Sequence, residues 1–531
     1  MRRTIFLILI AWAALTLPCV AEEPPFSEQA VLAVPAPGKF VQLSREQVAQ
    51  PGYSSKDRFV ATYYFYWYDD ASGQHFRNPD GSDGMTDHPA DPKGYSYNRP
   101  AWHKKQMVDM MEAGIDVVLP VFWGCPANRA KPGAGESWTY AGLPPLAAAQ
   151  EELIAQGRRP PRIGMFYDTS TLQYNAAGRR VDLTTPAGHA WFYATIRDFF
   201  SLIPPKLWAT IDGKPLVFLY AAGFASAGTN DPRLLDYVRT HFAQDFGGAQ
   251  PYVVAEQSWR LPAESTYAWG AAFGLKVLGV ASVGPGYDDH AVPGRTTPKA
   301  DREGGAFYKR AWDTLLAMDP SRRPNIVAIE TWNEFHEATD IADSREFGRQ
   351  YIELTKAYAA SWKAGELRPP SGPYAAARAV SITFGPGGKA EGLRSLTCSD
   401  GEAAVTKAAG ADCLQTLPNS LGNTQYLYFE VDDSFFFDGG TPLQVTVEYM
   451  DEGTAPLALE YDSTDAAATL AGAYKYAGSV IRTGTGNWKE AKFTLSDPRM
   501  VNQQNTSADF RLRTIGAPLK VRRVVVTKAP A

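Results

Sequence analysis

At 531 residues the chain is too long for one ordinary core and predicts two domains with short accessories. A net charge of -5 is small for that length, which excludes the dense basic surface of a nucleic-acid binder. Hydrophobic residues at 45% and charged residues at 21% exclude both a disordered chain and a polytopic membrane protein.

The first residues point to export. Arg2-Arg3 precede an apolar run from Ile5 to Leu17, then Cys19-Val20-Ala21 and an acidic pair, the pattern of a signal peptide cut after Ala21. The apolar run is too short to span a bilayer, and no later run is long enough, so the mature chain has no expected membrane span. Lipoprotein anchoring at Cys19 is disfavoured, because Thr16-Leu17-Pro18 is a poor match to the small residues such processing prefers. A secreted or periplasmic location is expected. Of the cysteines beyond the leader, Cys398 and Cys413 bracket a Gly/Ala/Asp-rich loop and could form a disulfide in an oxidising compartment, though the sequence does not decide it, while Cys125 reads as a small buried apolar residue. Seven scattered histidines with no cysteine partner give no zinc pattern, and no metal or cofactor is expected.

Residues 22–57 read as a lead-in, and 58–364 as alternating strands and helices. Strands are expected at Val60–Trp67, Asp116–Trp123, Arg162–Asp168, Pro215–Tyr220, Pro251–Glu256, Tyr267–Trp269, Val277–Val283 and Asn325–Trp332. Most are short apolar β-rich runs, as suits strands covered on both faces. Helical periods fall at Trp102–Ala113, Leu143–Gln156, Gly188–Ser201, Asp231–Phe246, Ala306–Met318 and Asp343–Lys363. This is the pattern of a (β/α)8 TIM barrel. A doubly wound open sheet would normally carry a glycine-rich phosphate loop after its first strand, and none is present.

Composition shifts at Gly365-Glu-Leu-Arg-Pro-Pro-Ser-Gly-Pro373, a linker after which helical periods disappear. In 374–531 alternating segments such as Tyr426–Val431, Leu443–Tyr449, Leu457–Tyr461, Ala491–Leu495, Phe510–Arg513 and Val521–Thr527 predict an all-β sandwich. The Ala/Gly-rich patches near Ala403–Ala411 and Ala466–Ala473 read as loops. This C-terminal domain shows no catalytic pattern, and carbohydrate binding is one reading of it, with Trp488 as a candidate contact.

The chemistry concentrates after the eighth expected strand, in Thr331-Trp-Asn-Glu-Phe-His-Glu337. Glycoside cleavage needs a proton for the leaving oxygen and a group that stabilises or traps the charge at the anomeric carbon. Two carboxyls in unlike environments supply both, and Glu334 and Glu337 are the candidates. On a helix their spacing would place the Cβ atoms about 5–6 Å apart, and mutual repulsion would keep one protonated. His336 and Asn333 are suited to orient the pair or hold hydroxyls. Strand-end residues Asp69, Asp168 and Glu256 are further hydroxyl-binding candidates, weighed against plain loop solvation. Trp123, Trp269 and Trp332 are candidate stacking surfaces for sugar rings, weighed against core packing. Glu330 shares the side-chain parity of Glu334 and is expected inside the barrel, in need of a partner.

The segment from Thr331 to Ile341 resembles the N-E-W-H-E-G-T-x-I signature of glycoside hydrolase family 99, the endo-α-mannosidases and endo-α-mannanases, and more distantly the family 71 α-1,3-glucanases. Ala281-Ser-Val-Gly-Pro-Gly-Tyr-Asp-Asp289 resembles the S-V-G-P-G-Y block of the same family, and the Tyr64-x-Tyr-Trp-Tyr patch adds weaker support. The chain as a whole resembles domain-of-unknown-function family 5010. The resemblance implies a metal-independent retaining enzyme. Glu334 would take the proton of the sugar 2-hydroxyl, Glu337 would be general acid and then base, and Tyr287 would be a substrate-binding tyrosine. Phe335 stands for the usual Trp, Ala338 for Gly and Asp340 for Gln, so α-mannan and α-glucan both stay open. The expected partner is a poly- or oligosaccharide substrate, cleaved by a secreted O-glycosyl hydrolase. Two alternatives are a non-catalytic glycan-binding protein on a barrel scaffold and a glycan-assembly barrel with an N-E-W-x-E motif. Retention of both acids argues against the first, and the leader against the second.

Overall fold

The computed structural model describes residues 27–48, 52–130, 137–295, 299–398, 400–419 and 422–529. The expected signal peptide, Met1–Ala21, lies outside the described residues. Among those described, no helix is long and apolar enough to cross a membrane.

The first part of the chain forms a nearly closed, predominantly parallel barrel sheet. Its strands are β1 (Phe59–Tyr64), β2 (Val117–Phe122), β3 (Met165–Tyr167, led in by Arg162–Ile163), β4 (Lys214–Leu219), β5 (Tyr252–Glu256), β6 (Ser265–Tyr267), β7 (Ala281–Val283) and β8 (Ile326–Ile329). Parallel pairing runs β6-β5-β4-β3-β2-β1-β8-β7, and the amide of Val280 donates to Thr266 O where the two ends of this path meet. Every residue of β1 and β2 is buried, as expected for a layer packed on both faces. The expected strand Val277–Val283 is instead a hairpin, with Lys276–Val277 antiparallel to β7. Gly279 permits that reversal, since a Cβ there would meet Ser265 Oγ at 2.3 Å.

Helices α1 (Pro100–Glu112), α2 (Leu143–Ala155), α3 (Pro186–Ser201), α4 (Pro232–Asp245), α5 (Ala306–Ala317) and α6 (Gln350–Lys363) cover the sheet. Their starts follow local chemistry. Thr185 and Asp231 accept amides of the first turns of α3 and α4, each followed by a proline whose missing N–H costs nothing there. No α-helix separates β5 from β6 or β6 from β7. The last helix starts seven residues later than expected, because 330–349 is used by the turn that carries the acidic motif.

The lead-in packs on this body: the amide of Gly38 donates to Ser201 Oγ and that of Tyr53 to Thr210 O. Beyond the linker the strands are β9 (Ala379–Thr383), β10 (Leu393–Leu396), β11 (Ala403–Ala408), β12 (Ala411–Thr416), β13 (Thr424–Val431), β14 (Leu443–Met450), β15 (Pro456–Tyr461), β16 (Lys475–Ile481), β17 (Trp488–Leu495), β18 (Phe510–Ile515) and β19 (Lys520–Lys528). They form two separate antiparallel sheets, one centred on β19 with β9, β12 and β14 along its edges, the other ordered β10-β13-β18-β15-β16. Val445, Val447, Val524 and Val526 from the first share one core with Leu427, Phe429, Leu459 and Leu512 from the second.

One expectation fails here, and one question the sequence leaves open is answered. Ala403–Ala411, read as a loop, is most of the β11–β12 hairpin, its reversal carried by Ala409 and Gly410 at positive φ. Cys398 and Cys413 are unbridged: Cys398 Sγ lies 2.9 Å from Asp400 Oδ1, and Cys413 is buried in β12 against Met450.

Candidate active site

The acidic motif follows β8 as a tight turn, not as the helix that the spacing invites. Ala338 has φ 46°, and the amide of Thr339 returns to Glu334 O at 3.2 Å. The turn is clamped from several sides. Asn333 Oδ1 accepts the amide of Phe65 at 2.8 Å while its Nδ2 donates to Phe65 O at 2.8 Å, and Tyr68 donates to Asn333 O at 2.9 Å. Buried Arg302 donates to Asp87 and Asp340, both at 2.9 Å, and to Ala338 O.

Within this frame Glu334 is 3% exposed. Its Oε1 takes the amide of His336 at 3.1 Å and sits 2.6 Å from His336 Nδ1. Its Oε2 is buried with no hydrogen-bond partner among the described residues. Burial works against a charged His336, but the Glu334 carboxylate, the His75 backbone and the Glu337 charge together hold the imidazole above its ordinary range. Glu337 is pushed up by burial and then by the Glu334 charge, with Arg295 pulling the other way. Arg295 Nη1 lies 2.5 Å from Glu337 Oε1, 3.3 Å from Tyr287 OH and 3.5 Å from Asp289 Oδ2. Tyr287 is buried, donates to Asp289 at 3.1 Å and stacks on Phe273 with centroids 4.8 Å apart.

Rings and further acids surround the pair. Buried Trp67 stacks flat on His75 at 4.4 Å and meets Trp123 and His336 edge-on, both at 5.5 Å. Burial, then the charge of His336, depresses His75 to about 3, which keeps it neutral. Half-buried Trp123 donates from Nε1 to Asp168 Oδ2 at 2.5 Å, and burial raises the Asp168 carboxyl. Glu256 is likewise raised by burial and accepts the amide of Ser258 at 2.8 Å. Trp269 is half-buried against Tyr63 at 5.0 Å and Tyr220 at 5.1 Å. Tyr220 is raised first by burial and then by the charges of Asp168, Glu337, Glu330 and Glu256.

The structure thus brings Glu334, Glu337, His336, Tyr287, Trp123, Asp168, Glu256 and Trp269 to the face beyond the carboxyl ends of the strands. Three candidates are placed elsewhere. Trp332 is buried with Nε1 donating to Gln106 Oε1 of α1 at 2.7 Å, so it packs behind the sheet and offers no stacking surface. Asn333 spends its amide on backbone, as above. Asp69 accepts Ser72 and Ser96 hydroxyls at 2.6 and 2.7 Å and serves its own loop. Trp488 has a buried Nε1 and lies against the small Cys413–Met450 cluster. Arg295, Trp67 and His75 are site residues that sequence reasoning missed; the aromatic run around Trp67 was a signal, whereas Arg295 stands in a loop with no pattern.

The fold and its acid-rich face define a barrel protein with a polar, aromatic-walled site. The chain belongs to the domain of unknown function family DUF5010, whose family model matches residues 47–369. No curated protein matches it. Among solved structures, it is similar to the family 99 endo-α-mannosidase from Bacteroides thetaiotaomicron, at 17% identity over 58% of this chain and 98% of that one, with a TM-score of 0.43. It is also similar to an isomalto-dextranase from Arthrobacter globiformis T6, at 10% identity over 93% and 99%, TM-score 0.27. The CBM22-1 xylan-binding domain from Paenibacillus barcinonensis Xyn10C matches at 13% identity over 28% and 94%, TM-score 0.21.

Proposed function

We propose that this protein is an exported retaining glycoside hydrolase acting on an α-linked glycan, of the mannan or glucan class, with Glu334 and Glu337 as its working carboxyls. On this reading the barrel is a (β/α)8 barrel in which two crossovers lack helices, spanning 58–364, and 374–531 is a β-sandwich. The carrying observation is the contrast within the acid pair. Glu334 has one oxygen oriented by His336 and the other without a partner, while burial and the Glu334 charge raise Glu337. A base with a free oxygen beside an acid that holds its proton more tightly than usual is what glycoside cleavage requires.

In the proposed reaction Glu334 takes the proton of the sugar 2-hydroxyl as O2 attacks the anomeric carbon. Glu337 gives its proton to the departing glycosidic oxygen, which leaves a 1,2-anhydro sugar. Water then attacks the same carbon, Glu337 takes the water proton, and Glu334 returns its proton to O2. Two inversions give net retention, and no metal is needed. Trp123 and Trp269 supply apolar faces for the rings.

The test is release of reducing ends from a panel of α-mannans, α-glucans and other α-glycans by the wild type, Glu334→Gln and Glu337→Gln. The expected result is hydrolysis by the wild type and a loss of at least about 100-fold in each variant with glycan binding retained. Binding without release by the wild type overturns the proposal in favour of a glycan-binding protein.

A further inference from the structure

The segment 269–277 forms one wall of the site and is held at both ends by buried groups. At its start, Glu330 reaches from the end of β8 into the barrel, where Oε2 accepts the amide of Gly270 at 3.0 Å, with the amides of Ala271 and Ala272 also turned to the carboxylate. Gly270 at φ 99° and Gly274 at φ 146° make this tight turn possible. The turn sits directly on the Gly-Pro-Gly-Tyr block, since a Cβ on Gly284 would meet Ala272 Cα at 2.7 Å. Trp269 and Phe273 point from it into the site, the latter stacked on Tyr287.

The other end is gripped by the C-terminal domain. Lys276 is 5% exposed, and its Nζ donates to Asn502 O at 2.6 Å and Ser507 Oγ at 2.7 Å. The same loop takes the flanking backbone: Asn502 Nδ2 donates to Leu275 O at 3.2 Å and Gln503 Nε2 to Val277 O at 3.4 Å. Val501 is packed within the barrel core itself. The loop is in turn fixed inside its own domain, where Asp509 accepts the amide of Asn502 at 2.9 Å and Asp433 its Nδ2 at 3.1 Å. A continuous chain of contacts therefore joins the C-terminal sheets to Tyr287, and through Arg295 to Glu337.

We infer that the C-terminal domain is a working part of the active site, with Lys276 and Asn502 as positioning residues that hold the Trp269–Phe273 wall in register with Tyr287. A merely tethered accessory module has no need of a buried lysine and two buried carboxamide side chains where it meets the barrel, because burying each such group costs free energy that its hydrogen bonds must offset. The catalytic consequence rests on the reading of the site given above; the mechanical consequence does not.

The test uses the full chain and the variants Lys276→Met, Asn502→Ala and, as the milder probe, Ser507→Ala, which removes one of the two lysine acceptors. The control is Arg322→Ala, which breaks an inter-domain ion pair, Arg322–Asp438 at 2.8 Å, without touching the wall. Hydrogen exchange over 269–277 is expected to quicken about tenfold or more in the three variants with 117–122 unchanged, and in the control neither changes. On a hydrolysed glycan, kcat/KM is expected to fall about tenfold in Lys276→Met, and the control is expected to match the wild type. Unchanged exchange over 269–277, or a rise shared equally by 117–122, overturns the inference. If the wild type hydrolyses no glycan in the panel, the functional reading fails while the exchange measurement still decides this one. If Lys276→Met does not fold, Ser507→Ala and Asn502→Ala are judged by the same outcomes.

Discussion

The Arg295 guanidinium lies 2.5 Å from Glu337 Oε1, so the carboxyl proposed to donate a proton is held by a permanent cation. That contact favours the ionised acid and opposes the rise that burial and Glu334 impose. Removing the cation leaves only the raising influences. Arg295→Met is expected to move the alkaline limb of the kcat/KM profile to higher pH, because Glu337 then keeps its proton longer. The shift is read from a pH–rate profile on the best glycan of the panel. A limb that moves to lower pH, or does not move, contradicts Glu337 as the acid.

His336 bridges the two roles of the motif, since its backbone and ring both contact Glu334 Oε1. Fixing that oxygen leaves Oε2 as the one available to a sugar hydroxyl. His336→Phe keeps a ring against Trp67 but removes the ring donor, and is expected to lower kcat by about 10–100-fold with KM little changed. Steady-state kinetics separates this from a stacking role, which would raise KM.

The body of the fold was legible because its elements carry strong periods. β2 is an unbroken apolar run and β1 is broken only by Thr62, and α3 and α4 open on Thr-Pro and Asp-Pro pairs that announce a capped start. What failed had physical reasons. The β11–β12 hairpin is built from alanine, with little of the β-branched bulk that marks a strand, and its pairing comes from the sheet around it. For Trp332 the sequence leaves a stacking surface and core packing both open; the strand ends at Ile329 and the turn sends the indole behind the sheet to Gln106. The acid pair was visible in sequence, whereas Arg295, 42 residues from its partner, was not. Lys276 gave no sign of its role, because the groups that bury it lie more than 220 residues away.

Glu330 has a consequence for stability that is independent of activity. Burial raises its carboxyl to about 8 in the folded chain, against an ordinary value near 4.5 when unfolded. The folded state therefore binds a proton that the unfolded state releases between those values. The stability from that proton is present below about pH 4.5 and is lost as pH rises through about 8. Glu330→Gln keeps an acceptor for the Gly270 amide and cannot ionise. The wild type is expected to lose thermal stability from pH 5 to 8 relative to Glu330→Gln, by on the order of a few kcal/mol. Tm measured across that range checks it, and parallel curves for the two proteins would rule it out.

Asn333 separates a structural role from a catalytic one. Its side chain takes both polar groups of the Phe65 backbone, and Nδ2 also lies 3.2 Å from Tyr95 OH, all in a buried setting. Asn333→Ala leaves the Phe65 amide and carbonyl without partners at the point where the chain leaves β1 for Trp67. Each orphaned buried group costs roughly 1–3 kcal/mol, so a loss of about 2–5 kcal/mol is expected. Denaturant unfolding measures that loss directly. A substrate-binding Asn333 would instead give a folded protein of near-normal stability with a raised KM. The clamp predicts the opposite order, with stability lost first and the kinetic defect following from displacement of Glu334 in whatever fraction stays folded.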